Sequence, residues 1–128
     1  MSERLAQKKV VKYLRDHDVD VQRIENTVDR GVPDINCCYD GLEFWIEMKS
    51  TASKTPKLRP EQQAWHARRH FHGGIVLIIT EHSKTDEYSV YIFHHKTGLT
   101  ELSRAPKKEF FGTLLEMIDF MRLRHTFK

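Results

Sequence analysis

Cysteine is scarce in this chain, and its scarcity argues against several classes of protein at once. Among 128 residues there are two cysteines, Cys37 and Cys38, and they are adjacent. Neighbours on a strand point to opposite faces, which is poor geometry for a disulfide, and the spacing is wrong for zinc. A disulfide-stapled secreted domain and a cysteine-built zinc module are therefore not expected, and a reducing compartment is. Long apolar runs are missing too. The longest, Ile75 to Ile79, is far too short to cross a bilayer, and no stretch reads as a signal peptide. A cytoplasmic protein with no membrane partner is expected. Repeats, low-complexity segments and linkers are lacking, so one domain over residues 1–128 is expected. A strong charge of either sign is also lacking. The formal net charge of +3 permits a nucleic-acid partner without demanding one.

What is present is a hydrophobic fraction of 39% and a charged fraction of 30%, the balance of a globular protein with a modest core. Ala6, Val10, Tyr13 and Leu14 recur at helical spacing after Ser2, a capping residue, so a first helix runs from there to Asp16–Asp18. Val19 to Thr27 alternates loosely as a strand. Asp34 to Tyr39 and Leu42 to Lys49 read as two strands, and Pro60 opens a second helix that Gly73-Gly74 stops, with Ala64, Ala67 and Phe71 as its apolar stripe. Ile75 to Thr80 is a buried-type strand, Ser89 to Phe93 another, and Lys107 to Arg124 a last helix with Phe111, Leu114, Leu115, Ile118 and Met121 as its face.

The chemistry concentrates around Asp40-Gly41, a two-residue hairpin signal. Counting outward from that turn pairs Tyr39 with Leu42, Cys38 with Glu43, Asn36 with Trp45 and Asp34 with Glu47. Alternation then puts Asp34, Glu47 and Lys49 on one face. Two carboxylates about 5 Å apart at an effective dielectric near 20 repel by roughly 3 kcal/mol. A divalent cation held by both, with Lys49 as a second positive partner, relieves that repulsion. This is the skeleton of a metal-dependent phosphodiesterase. Trp45 shares the face, which implies that the face is covered or binds something.

Several residues keep two readings. Glu3 falls within the arc of Ala6, Val10 and Leu14; it is either an exposed residue at a helix start or an outer metal ligand aimed at Asp34 and Glu47. Lys54, Lys57 and Arg59 lie in a polar loop and either approach phosphates or are simply solvated, and Arg68 and Arg69 lie on the second helix, where a DNA-facing role is plausible. Among eight histidines, His66 and His70 stand four apart with His72 beyond, a zinc-ligand spacing without the intervening glutamate of a zinc-protease motif. His94-His95 are expected on opposite sides of a strand.

These residues resemble the PD-(D/E)XK nuclease superfamily and, within it, the VRR-NUC (virus-type replication-repair nuclease) group. The matching text is a helix carrying Glu3, then Arg30-Gly31-Val32-Pro33-Asp34, Glu47-Met48-Lys49 and Leu58-Arg59-Pro60-Glu61-Gln62-Gln63-Ala64-Trp65, running to Gly73-Gly74 and a hydrophobic strand, over roughly residues 2 to 80. The resemblance implies a restriction-endonuclease-like αβββαβ core with a mixed α/β sheet, extended after residue 80 by an extra strand and a C-terminal helix.

It also implies roles. Asp34, Glu47 and the Met48 carbonyl would hold Mg²⁺ or Mn²⁺, with Glu3 acting through a metal-bound water. Lys49 would orient the attacking water, and Gln62, or Gln63 if the register slips, would complete the site. Arg30, Lys54, Lys57, Arg59, Arg68 and Arg69 are the expected DNA contacts. The implied activity is cleavage of branched DNA in the manner of a Holliday-junction resolvase, by a homodimer. The C-terminal helix, with Phe110, Phe111, Met117, Phe120 and Met121, has more apolar surface than one stripe requires and is expected to take part in that contact. A catalytically silent nucleic-acid-binding module and a sequence-specific restriction-type nuclease are the alternatives.

Overall fold

In the computed structural model, which describes residues 3–25 and 31–126, the order is α1 (Glu3–Asp16), β1 (Asp20–Arg23), β2 (Ile35–Tyr39), β3 (Leu42–Thr51), α2 (Pro60–Phe71), β4 (Val76–His82), β5 (Glu87–His94), β6 (Gly98–Pro106) and α3 (Lys107–Thr126). Ser2 and Arg30 lie outside the described residues. The strands form one six-stranded sheet in the order β1-β2-β3-β4-β5-β6. β3 and β4 pair in parallel and the other neighbours pair antiparallel. A parallel pair needs a crossover, and α2 is that crossover.

The hairpin follows from its turn. Asp40 and Gly41 have φ of 52° and 88°, the left-handed pair that matches the twist of the flanking strands. The observed pairs are Tyr39 with Leu42, Cys38 with Glu43 and Asn36 with Trp45, as counting from the turn predicts, and Ile35 with Ile46 continues the ladder.

Strand alternation divides the apolar residues between two layers. On one face, Phe44, Ile46, Met48, Leu77, Ile79 and Val90 pack with Val10 and Leu14 of α1 and with Phe110, Leu114 and Ile118 of α3. On the other, Val76, Ile78, Tyr91 and Phe93 pack with Trp65 of α2, and Trp45 joins them. Gly31 sits hard against α2: a β-carbon there would collide with the Glu61 carbonyl and crowd Trp65. That close approach requires glycine and seats the start of α2 over the chain just before Asp34.

The sequence pattern and the structure differ at three places. The sheet has a sixth strand, β6, where one added strand was expected. Its side chains are half-buried or exposed, so no apolar period marks it, and pairing with β5 defines it. In α2 the buried residues are Gln62, Trp65 and His66, not the expected stripe. Ala64 is exposed, Ala67 half-buried and Phe71 67% exposed. Trp65 has the larger apolar area and meets Trp45 edge-on at 5.1 Å, which sets the rotation of the helix. In α3, Phe110 is fully buried against Tyr88, while Leu115, expected on the face, is half-buried.

Phe110→Ala is expected to cost ~3–5 kcal/mol by cavity formation, and Leu115→Ala less than about 1.5 kcal/mol. Urea denaturation of the two variants checks the ranking; equal costs would contradict the observed rotation of α3.

Candidate active site

The candidate site lies where the hairpin meets the parallel seam of β3 and β4. Asp34 immediately precedes β2 and is tied at both ends. Its carbonyl accepts from the Ile24 N–H at 2.8 Å, and its Oδ2 accepts from the Met48 N–H at 2.8 Å. The carboxylate is thereby pinned to β3 one residue from Glu47.

Glu47 shares its face with Trp45 and Lys49 and is 4% exposed beneath α2. Its Oε2 accepts from Gln62 Nε2 at 3.1 Å. The same amide's Oε1 accepts from Lys49 Nζ at 2.9 Å and from the Arg59 N–H at 2.9 Å. The second of these bonds satisfies a donor at the α2 N-terminus, so one side chain both caps the helix and links the acid to the lysine. Gln62 therefore faces the acids, while Gln63 is exposed.

Burial, reinforced by the adjacent Asp34 charge and opposed by Lys49, pushes the Glu47 carboxyl up to about 9. Glu3, exposed in the first turn of α1, adds to that upward push as the smallest named contributor. Among the described residues no donor reaches the buried Glu47 Oε1, and the side chain it meets, that of Asp34, is itself an acceptor. An unsatisfied buried acceptor is costly. A cation at this oxygen would satisfy it and offset the Asp34–Glu47 repulsion. The oxygens that meet here are those of the Asp34 and Glu47 carboxyls, a donor type that suits a hard ion such as Mg²⁺ or Mn²⁺. The residues fit such an ion.

His66 also belongs here, although its spacing from His70 pointed elsewhere. It is fully buried, neither ring nitrogen is hydrogen-bonded among the described residues, and the ring lies edge-on to Phe93 at 5.6 Å. Burial and the nearby Lys49 charge push it down to about 4, so the ring is neutral at pH 7. The signal was available: His66 is one helical turn after Gln62, at i+4 on the same face.

The expected cationic residues divide. Lys54, Lys57, Arg59 and Arg68 are exposed. Arg59 pairs with Glu61 at 3.0 Å. The Arg69 guanidinium lies over Trp65 at 4.4 Å and Trp45 at 5.1 Å, packed on the protein. Arg104, which the sequence did not single out, donates to the Lys54 carbonyl at 3.1 Å and holds that loop to β6. The His66–His70–His72 grouping is not formed. His72 is exposed, and His70 meets His94 and His95 instead. Those two rings, expected on opposite sides, stack with centroids 4.9 Å apart. They do so because β5 ends at His94, and beyond a strand end the alternation no longer holds.

No helix among the described residues is long and apolar enough to cross a membrane. No protein-family model matches the chain, and no curated protein matches it in sequence. Among solved structures, a Holliday junction resolvase from the archaeal hyperthermophile Archaeoglobus fulgidus is similar, with a TM-score of 0.56 over 80% of this chain and 88% of that one, at 12% sequence identity. The chain has a restriction-endonuclease-like fold. At that identity the likeness is one of architecture.

Unfolded Glu47 ionises near 4.5, and the folded carboxyl near 9. Between those values the folded chain keeps a proton that the unfolded chain has lost, so stability falls as pH rises through this window. In the presence of a chelator, urea denaturation at pH 5 and 8.5 should show that fall, and Glu47→Gln should flatten it, gaining more than about 1 kcal/mol over wild type at pH 8.5. A pH-independent difference between the two proteins would contradict the assignment.

Proposed function

We propose that the chain is a Mg²⁺- or Mn²⁺-dependent DNA endonuclease of the VRR-NUC type, forming one nuclease domain that selects branched DNA and works as a homodimer. The observation that carries this reading is Glu47: a buried carboxylate with one oxygen that no donor reaches among the described residues, beside Asp34 and linked through Gln62 to Lys49. The PD-(D/E)XK-like sequence pattern and the fold shared with a Holliday junction resolvase support it.

In this reading Asp34, Glu47 and the Met48 carbonyl would hold the ion, with Glu3 contributing through water. When bound, the ion supplies Lewis-acid stabilisation of the charge that builds on the phosphate. Lys49 spends one N–H on Gln62 and keeps two for an attacking water and a phosphate oxygen. Gln62 is a positioning residue: it holds the lysine and Glu47 at a set separation. The exposed Lys54, Lys57, Arg59 and Arg68, with Arg30, give phosphate contacts that do not depend on sequence. A covered rather than open Arg69 steadies α2.

Self-association is assigned to α3. Phe120 is 61% exposed and Leu123 47%, beside Leu102 of β6 at 43%. Phe120 and Leu102, with Met117 and Met121, line an apolar groove of about 510 Å³. Two sites are needed to cut two strands of one junction, and a C₂ dimer through this face supplies them.

Cleavage of linear, flap and four-way DNA with Mg²⁺ or Mn²⁺ tests the activity. Asp34→Ala and Lys49→Ala are expected to lower the rate on four-way DNA by on the order of 10³-fold while binding persists. Wild-type binding without cutting would establish the silent module, and cutting of linear duplex at one short sequence would establish a restriction-type enzyme.

Light scattering at micromolar concentration is expected to give a dimer, and Phe120→Asp a monomer. A wild-type monomer would defeat the proposed assembly.

A further inference from the structure

His70, His94 and His95 meet away from the acids. His70 is in the last turn of α2, His94 ends β5, and His95 begins the turn into β6. One ring nitrogen from each lies within 4.8 Å of the others. The His70 ring centroid is 4.3 Å from that of His94 and 4.9 Å from that of His95. All three rings are half-buried, so solvent and a small ion reach them.

The rings are held by the backbone. The His95 N–H donates to His70 Nδ1 at 3.1 Å, and the Lys96 N–H donates to His94 Nδ1 at 3.0 Å. His70 Nδ1 also faces His95 Nδ1 at 2.7 Å, which places one ring proton between them. Among the described residues no carboxylate is hydrogen-bonded or ion-paired to any of the three. Three imidazoles crowded together without an anion do not suit three positive charges. They suit neutral rings, and the His70 and His94 Nδ1 lone pairs accept backbone N–H groups that an ion would replace.

The geometry points to a transition-metal site here, three imidazoles with an open fourth position, for a borderline divalent ion of the Zn²⁺ class. Imidazole selects such ions, whereas the oxygen donors around Glu47 select hard ones, so the two sites divide by chemistry. They also divide in space. His70 is eight residues beyond Gln62, about 12 Å along the axis of α2. Metal–nitrogen bonds of about 2.0–2.1 Å in a tetrahedron require nitrogens about 3.3 Å apart. His70 and His95 must therefore separate by less than 1 Å or so from their hydrogen-bonded distance. The His95 ring proton moves to its other nitrogen, so the neutral ring keeps one proton and frees its Nδ1 lone pair, while His70 releases the His95 N–H and His94 releases the Lys96 N–H, both of which turn to water. The metal then joins the C-terminal end of α2 to the β5–β6 turn. That fixes from its far end the helix that carries Gln62.

Co²⁺ and Zn²⁺ on the tag-free full chain test this. Co²⁺ titration is expected to give one equivalent with the visible absorption of nitrogen-held cobalt, displaced by Zn²⁺ and retained in Glu47→Gln. Zn²⁺ is expected to raise the melting temperature of wild type and Glu47→Gln alike. His94→Ala and the milder His95→Gln, each checked by circular dichroism for native fold, should weaken Co²⁺ binding by about 100-fold or more. Absence of the cobalt spectrum in wild type, its loss in Glu47→Gln, or undiminished binding in folded His95→Gln would each overturn the site.

Discussion

The structure depends on a carboxylate kept out of water. Glu47 is buried at the one parallel seam among the described strands, next to Asp34, with its charged form disfavoured by both burial and repulsion. Such a placement costs free energy and persists only where the surroundings compel it. Here the compulsion is geometric. A parallel pair requires a crossover, the crossover helix lies on one face, and its first turn covers Glu47. The Gln62 amide then satisfies one carboxylate oxygen, and among the described residues no donor reaches the other.

The opposite face of the sheet supplies the stability that this arrangement consumes. Met48 and Ile46 alternate with Glu47 and are fully buried among residues of α1 and α3. Any slip of β3 by one residue would exchange them with Glu47 and Trp45 and expose the core. The register that makes the core is therefore the register that makes the site, and neither can change alone.

α2 is the shared element. Its first turn holds Gln62, its middle holds Trp65 and His66 against the sheet, and its last turn holds His70 against the β5–β6 turn. Arg69 over both tryptophans and the contact of Gly31 with Glu61 fix its azimuth and height. A helix anchored at so many points is suited to hold Lys49 and Glu47 at a constant separation, as the proposed activity would require.

Local chemistry was enough to make the hairpin legible. Asp40-Gly41 permits few backbone shapes, strand alternation has a period of two, and from these alone Asp34, Glu47 and Lys49 fall on one face. Pro60 and Gly73-Gly74 bounded α2 for the same reason: they act on the backbone they belong to. Which side of α2 turns inward was not legible, because Ala64, Ala67 and Phe71 form as good a stripe as Trp65 until Trp45 is placed beneath it. β6 was hidden because an edge strand of mixed polarity carries no pattern of its own and is defined by its partner. The meeting of His70 with His94 and His95 was equally invisible, since residues 24 and 25 positions apart come together only through the path of the intervening strands. Short-range geometry is encoded in adjacent residues; the rotation of a helix and the joining of distant side chains are settled by packing, which no local segment contains.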